Sequence, residues 1–346
     1  MHAVSCASLF VKSIFVNIAN VNAQRNALQR TDRFEPGGRH PRTMKHDLIC
    51  SRAHANAPLR RQFLLSAACV TAVPALATGS SGDAEQNAAL AAGLHADARF
   101  DANAVGLILV TLDAAQKRIT PLFQAIPERQ CTRGDYDGQP ISQAELRQLE
   151  QAGAGNGVSV KLLAARPAME SVLEYVVAGN TVQMNDPAFV AELKAWIRFG
   201  SEEALRTGDG LFAGASGNAV LPRGLGGRLM GLFFTPKSEN ERYARQIRNS
   251  AGIAAFVSER SDKAHWVEAG RCYQRFALQA TALGIRNAFL NQPVEAGAVR
   301  PQFAVSLGLA SHQRPDLVVR FGARPRDAAV DAAPRAGRFG LDIHIA

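Results

Sequence analysis

"WVEAGRCYQRFALQATALGIRNAFLNQPVE", residues 266 to 295, decides the fold reading, because a helix, its stop signal and a new element follow one another without a break. Between 266 and 283, Ala269, Cys272, Tyr273, Phe276, Ala280 and Leu283 recur at helical spacing on one face. Glu268, Arg271, Arg275 and Gln279 lie largely opposite. That is the pattern of a core helix with one polar side. Ala277, Thr281 and Gly284 are small enough to let another backbone approach, and Gly284 is placed to end the helix in a left-handed cap. Asn291 and Gln292 then stand before Pro293, where they either face a ligand or cap the turn.

Working outward, "IAAFVS" (253–258), "DLVVRF" (316–321) and "GVSVKLL" (157–163) read as strands, and "AVGLILVTL" (104–112) has the continuous apolar character of a buried one. "EQNAALAAGL", "ITPLFQAIPERQ" and "SQAELRQLEQAG" read as helices, the last opened by a Ser142/Glu145 capping box. Further helices are expected from about Pro167 to Gly179 and over "DPAFVAELKAWIRF", with Asp186 as N-cap and Pro187 as first helical residue. Residues 200 to 250 are rich in Gly and Pro and read as a long surface excursion. Helices and strands alternate without the regular spacing of a doubly wound sheet, which points to an α+β or mixed α/β domain.

The chain has 346 residues, 47% of them hydrophobic, enough for a sizeable core. Its formal charge of +9 is unevenly spread. Residues 1 to 61 hold ten Lys/Arg and three Asp/Glu, and the remainder 29 and 27, so the body is nearly neutral. No basic stripe interleaved with exposed aromatics runs through it, which argues against nucleic-acid binding. Residues 59 to 77, "LRRQFLLSAACVTAVPALA", place paired arginines before an apolar run that ends in Ala75-Leu76-Ala77, the layout of an export signal. Pro74 and the short length argue against stable membrane insertion. The stretch resembles a twin-arginine signal and implies a periplasmic or exported protein. Residues 1 to 58 read as an unstructured leader, with Met44 as a more natural start. Once the leader is removed only Cys131 and Cys272 remain, enough for one disulfide but for no cysteine metal site.

Familiar catalytic signatures are absent from the sequence. "GASGN" has its serine out of frame for a nucleophile elbow, and "GAGNG" (153–157) follows a helix where a dinucleotide fingerprint follows a strand. His265 and His312 read as surface or helix-end residues, and Glu202 and Glu203 as dipole partners in a helix's first turn.

From about Pro121 to Gly322 the chain resembles the nitroreductase family, and especially its exported tandem Acg-like branch, in which two halves are fused. The motifs that carry this are "LFQAIPERQCTRGDYDGQPISQAELRQL", "DPAFVAELKAWIRF", "TGDGL", the stretch 266–295 and "RPDLVVRFG". The resemblance implies an α+β, three-layer fold with a mixed central sheet flanked by helices. It also implies FMN at the junction of two halves, NAD(P)H as co-substrate, and a nitroaromatic, quinone or similar small-molecule electron acceptor. It divides the chain into a remnant of the first half at 78–120, a nitroreductase-like domain at 121–324 and a tail at 325–346.

In the same resemblance "ERQCTRGDYD" takes the place of an arginine-rich phosphate motif, which assigns Arg129, Thr132 and Arg133 to the flavin phosphate and ribityl chain. Arg320 is a further phosphate candidate, and Asn291 faces the flavin or caps its turn. Arg129 and Arg320 have a structural alternative, a salt bridge with a neighbouring acid. Two departures stand out: Gln130 replaces a second basic residue and Cys131 a serine. Most of the first half is missing, which would leave apolar surface uncovered and favours a homodimer. The implied activity is an FMN-dependent oxidoreductase; the alternative is a flavin-binding or flavin-sequestering protein without turnover, or a degenerate paralogue.

Overall fold

The computed structural model describes residues 83–101, 107–207, 209–216 and 220–323. The expected leader, the signal at 59–77 and the tail at 325–346 lie outside the described residues. In chain order the elements are α1 (Ala84–Ala91), β1 (Leu94–Asp101), β2 (Leu107–Ala114), α2 (Pro121–Glu128), α3 (Gln143–Gly153), β3 (Val158–Leu163), α4 (Arg166–Met184) and α5 (Pro187–Trp196). There follow β4 (Ile197–Arg198), α6 (Ser201–Thr207), β5 (Leu211–Phe212), α7 (Arg223–Phe233), α8 (Pro236–Arg248), β6 (Gly252–Ser258) and α9 (Lys263–Ala282). The chain continues through β7 (Arg286–Phe289), α10 (Gln292–Glu295), α11 (Arg300–Ser306) and β8 (Arg314–Gly322).

Strands β3, β6, β8 and β7, in that order, form one four-stranded sheet whose neighbours all pair antiparallel. Its parallel component is a single bridge at the β7 edge, between Cys131 and Asn287. All seven residues of β6 are buried, because this central strand is covered on both faces; hence its unbroken apolar run. On one face Phe256, Leu317, Val319 and Phe321 pack against Leu149 of α3 and Tyr273, Phe276 and Ala280 of α9. On the other, Ile253, Ala255 and Val318 meet Val172 and Val176 of α4, Ile247 of α8 and Phe303 of α11. The domain is therefore a three-layer α+β sandwich.

The caps follow the local chemistry. Ser142 and Glu145 form the reciprocal capping box of α3, and Asp186 accepts from Ala188 N at the start of α5. At the end of α9, Gly284 has φ 74°. Ile285 N donates to Ala280 O and Gly284 N to Thr281 O, the paired bonds of a Schellman cap. Glu202 and Glu203 do sit in the first turn of α6, where Glu203 accepts from Phe199 N.

Three expectations are corrected. The segment 104–112 was expected as a buried strand, but β2 pairs only with β1 in a separate hairpin, and Ile108 and Leu112 are 39% and 40% exposed. The excursion at 200–250 contains α8, whose Ile247 belongs to the core. Arg275, assigned to the polar side of its helix, is buried in an ion-pair cluster. Cys131 and Cys272 are both free, and burial pushes the Cys272 thiol up to about 12, which holds it as an unreactive core group. Among the described residues no group of His, Cys, Asp or Glu is arranged to hold a metal, and no helix is long and apolar enough to cross a membrane.

Candidate functional site

Helix α2 starts at Thr120, whose hydroxyl accepts from Phe123 N, and its last turn contains Pro127. At Arg129 the backbone becomes extended (φ −64°, ψ 127°). The chain then runs along the open edge of β7, where Thr132 N donates to Asn287 O at 2.9 Å. One main-chain bond and one bridge would not hold such a strand end alone. The rest comes from side chains reaching its carbonyls.

Arg320, on β8, is 1% exposed. Its Nη2 donates to Arg133 O at 2.9 Å and Gly134 O at 2.7 Å. Gln246 Nε2 donates to Arg133 O at 2.6 Å, and the Tyr136 hydroxyl to Thr132 O at 2.9 Å. The guanidinium carbon of Arg320 lies 4.1 Å from the centroid of the Tyr136 ring, a desolvated cation–π contact. Burial pushes the Tyr136 hydroxyl up and lowers Arg320 from its ordinary value. Carbonyl oxygens carry no full negative charge, so Arg320 is a buried cation whose hydrogen-bond partners leave its charge uncompensated. That is an unusual expense.

Arg320 Nη1, Thr132 Oγ1, Asn287 Nδ2 and Arg286 Nε are all buried without a hydrogen-bond partner, and all belong to segment 129–134 or the strands bonded to it. Buried unpartnered donors are rare in folded proteins. Arg320 stands opposite Ala288 in the register and so shares a sheet face with Arg286, whereas Asn287 stands opposite Phe321 and points to the other face, toward α9.

The site residues expected from the sequence divide accordingly. Arg129, Thr132, Arg133 and Arg320 are gathered around one segment. Burial raises the pKa of the Tyr273 hydroxyl on α9, and the positive charges of Arg129 and Arg133 oppose that shift. Arg133 also acts on Tyr243 of α8. Asn291 stands apart, four residues beyond Asn287 and roughly 13 Å along an extended chain. Its Oδ1 accepts from Val318 N at 2.9 Å and so continues the β8 ladder past the last residue of β7. Gln292 Nε2 donates to the Tyr243 hydroxyl at 2.6 Å, while its Oε1 is buried without a partner. The backbone of Gln292 lies so close to α4 that a Cβ on Gly179 would meet its carbonyl at 2.5 Å, so only glycine fits there. The amides after α9 thus serve the turn through Asn291, and Gln292 leaves one acceptor open.

Beside Asn291, the Glu295 carboxyl is raised by burial, with the hydrogen bond from Gln183 Nε2 at 2.9 Å opposing the shift. Because its native pKa exceeds the unfolded value, its contribution to stability is fully present below the unfolded pKa and is lost as pH rises through the native one. Glu295→Gln should therefore be as stable as the parent or more so at pH 7, and should lack the parent's gain in stability toward pH 5. Urea melts at both pH values check this, and a parallel loss at both would contradict it.

Sequence reading missed Tyr136, Gln246, Arg286 and Asn287. The available signal was the pair Arg286-Asn287 inside a short apolar strand, where buried polar residues require partners. "GAGNG" forms a tight turn between α3 and β3, with Gly157 at φ 67°, and presents no helix N-terminus. His265 pairs with Asp262 at the start of α9, and His312 is exposed.

No family model matches the chain, and no curated protein does. Among solved structures it is similar to a nitroreductase with bound FMN from Bacteroides fragilis NCTC 9343, with 14% identity, coverage of 61% of this chain and 92% of that one, and a TM-score of 0.39. A nitroreductase with bound FMN from Desulfitobacterium hafniense DCB-2 gives 16%, 60%, 90% and 0.38. The NADPH:FMN oxidoreductase from Vibrio harveyi complexed with NAD+ gives 10%, 61%, 72% and 0.36.

Proposed function

We propose that the chain is an FMN-dependent oxidoreductase of nitroreductase type that passes electrons from NAD(P)H to a nitroaromatic, quinone-like or similar small acceptor. The observation that carries this reading is the pair of buried, unpartnered atoms Arg320 Nη1 and Thr132 Oγ1, Thr132 lying on the segment whose sequence resembles the family's phosphate motif and Arg320 donating to the carbonyls of that segment. Their chemistry fits a phosphate monoester, which has several negatively charged acceptor oxygens and no donor when fully ionised.

In this reading Arg320 gives the phosphate its free Nη1 while its Nη2 keeps the backbone of Arg133 and Gly134 in place. The Thr132 hydroxyl and the Arg133 guanidinium serve the phosphate and the adjoining ribityl chain, and Arg129 adds positive charge near Tyr273. Asn291 holds the turn through Val318 N, and the open Oε1 of Gln292 beside it is the amide atom left for a ligand. FMN, when bound, supplies the reversible two-electron chemistry; the protein orients it and sets its electrostatic surroundings. Such a reaction requires neither a metal cluster nor a nucleophilic triad of the polypeptide.

Full-length protein should purify yellow or become so with added FMN, and should then oxidise NAD(P)H in the presence of menadione or a nitroaromatic. Binding without turnover would instead favour a flavin-sequestering role. Absence of FMN binding would remove both readings. Ile108, Leu109 and Leu112 on the hairpin support homodimerisation, which sedimentation velocity can test. We further infer export by the twin-arginine route. A reporter fused to residues 44 to 82 should lose export when Arg60 and Arg61 become Lys, and unimpaired export would reject that route.

A further inference from the structure

The two outer strands of the four-stranded sheet are not alike. Segment 129–134 runs along β7, whereas β3 has no neighbour on its far side among the described residues. The register tells which main-chain groups are left over. Glu259 N donates to Gly157 O, so Gly157, Ser159 and Lys161 turn their backbone groups toward β6. Val158, Val160 and Leu162 turn theirs outward. Val158 exchanges both bonds with Gly155, at 2.8 and 3.2 Å. Val160 and Leu162 have no such partner among the described residues.

Beside them lies a cavity of about 390 Å³. Val160, Lys161, Leu162 and Leu163 all line it, although successive side chains of a strand point to opposite faces. One cavity meets both faces only where it wraps the open edge of the strand. Glu150 of α3 closes one side, and Val172 of α4 and Leu307 of α11 close the other. The result is a slot between helices with unpaired backbone groups along its floor, a template for one more strand.

A second copy of β3 fits this slot badly. The two-fold register that uses Val160 and Leu162 of both chains sets the exposed Lys161 directly opposite its counterpart, and like charges so placed are destabilising. The complement is an acidic residue between two apolar ones. Leu341-Asp342-Ile343 has that pattern, within a stretch where Leu341, Ile343 and Ile345 alternate with Asp342 and His344. Laid antiparallel to β3, it sets Leu341 opposite Leu162, Asp342 opposite Lys161 and Ile343 opposite Val160. Apolar residues then meet apolar ones, and the charges are opposite in sign. The connection is long enough. β8 ends at the same end of the sheet as β3, since Phe321 pairs with Gly252 and Leu163 with Ile253. Residues 324 to 340 reach roughly 55 Å when extended, while three strand spacings are about 14 Å.

We propose that residues 341–345 add to the open edge of β3 in their own chain. The tether favours the same chain over a second copy, because a flexible link holds the segment at an effective concentration on the order of millimolar. The added strand covers a sheet edge that would otherwise template association with other chains.

The test is hydrogen exchange in the full-length protein, read at the Val160 and Leu162 amides with those of α9 as the internal reference. Both amides should be protected in the wild type. Ile343→Lys should speed their exchange by about tenfold or more and leave α9 unchanged. Lys161→Glu should act in the same direction to a smaller extent, and adding Asp342→Lys should restore the protection, because the pair is then reversed in sign. Fast exchange of both amides in the wild type would overturn the proposal by showing an uncovered edge. Protection that survives Ile343→Lys would overturn it by assigning the slot to another occupant. Protection lost on dilution would move the strand to a second copy and overturn the same-chain assignment.

Discussion

Arg320→Met is expected to abolish selective FMN binding and to lower the melting temperature by roughly 5–15 °C, the equivalent of about 2–4 kcal/mol in a domain of this size. The estimate follows from what the guanidinium touches. Arg133 O and Gly134 O would lose donors at 2.9 and 2.7 Å, and hydrogen bonds to a charged group are worth about 1.5–3 kcal/mol each. The contact with Tyr136 would be lost as well, about 2 kcal/mol when desolvated. Methionine recovers part of this by burying apolar volume and removing the cost of a buried charge, so the net loss is smaller than the sum. Arg320→Lys should fall between the two proteins, because one ammonium cannot reach two carbonyls and a ligand with the geometry of a planar fork. The decisive comparison adds phosphate. Phosphate should raise the melting temperature of the wild type by mass action and leave that of Arg320→Met unmoved. Equal phosphate stabilisation of both proteins would show that Arg320 is a structural clamp and that the anion site lies elsewhere.

The parts of the domain written in short-range pattern were legible in the sequence. The Ser142/Glu145 box, the Asp186-Pro187 start, the Gly284 stop and the apolar run of β6 each express a local rule, and each is present. β1 was hidden because "LHADARFD" carries three charges, and its strand character depends on pairing with β2. α8 was hidden because "PKSENERYARQIR" meets the core mainly through Tyr243 and Ile247, one turn apart, too narrow a stripe to stand out among glycines and prolines upstream. The site was half legible. Arg129, Thr132 and Arg133 lie in one motif, whereas their link to Arg320 spans 187 residues and their link to Tyr273 and Asn287 depends on how α9 and β7 pack. Asn291 was ambiguous for a physical reason. An asparagine at a strand end can continue the ladder with its side chain, as it does for Val318, or present that side chain to a ligand, and the residue type is the same.

Arg275 carries the other large expected effect, at the opposite end of the molecule's electrostatics. Read from the sequence it belongs to the polar side of a helix; in the fold it is 2% exposed. Its Nη1 meets Asp83 Oδ1 at 2.7 Å, 192 residues away in sequence, a pairing that no local pattern can announce. Its Nη2 donates to Ala154 O at 2.9 Å and Glu268 Oε1 at 3.1 Å, and its Nε to Ala152 O at 3.2 Å. Arg271 also binds Asp83 and donates to Ala98 O of β1 at 3.1 Å. The N-terminal elements α1, β1 and β2 are thus fastened to α9 largely by ions. Replacing Arg275 with methionine would leave Glu268, Asp83 and the carbonyls at the end of α3 short of donors in a desolvated place, which should cost about 3–5 kcal/mol. Because the loss falls on the joint, the hairpin should detach before the three-layer domain melts. Limited proteolysis is expected to cut between residues 94 and 114 in Arg275→Met at temperatures where the wild type is resistant, with the core fragment surviving. Asp83→Asn should show a milder form of the same opening, since Arg271 and Arg275 keep other acceptors in Glu85, Glu268 and the α3 carbonyls. Added salt should change these differences little, because the pair is shielded from solvent and is screened far less than surface charges. One sharp transition at the wild-type temperature in Arg275→Met would show that apolar contacts alone hold the N-terminal elements in place.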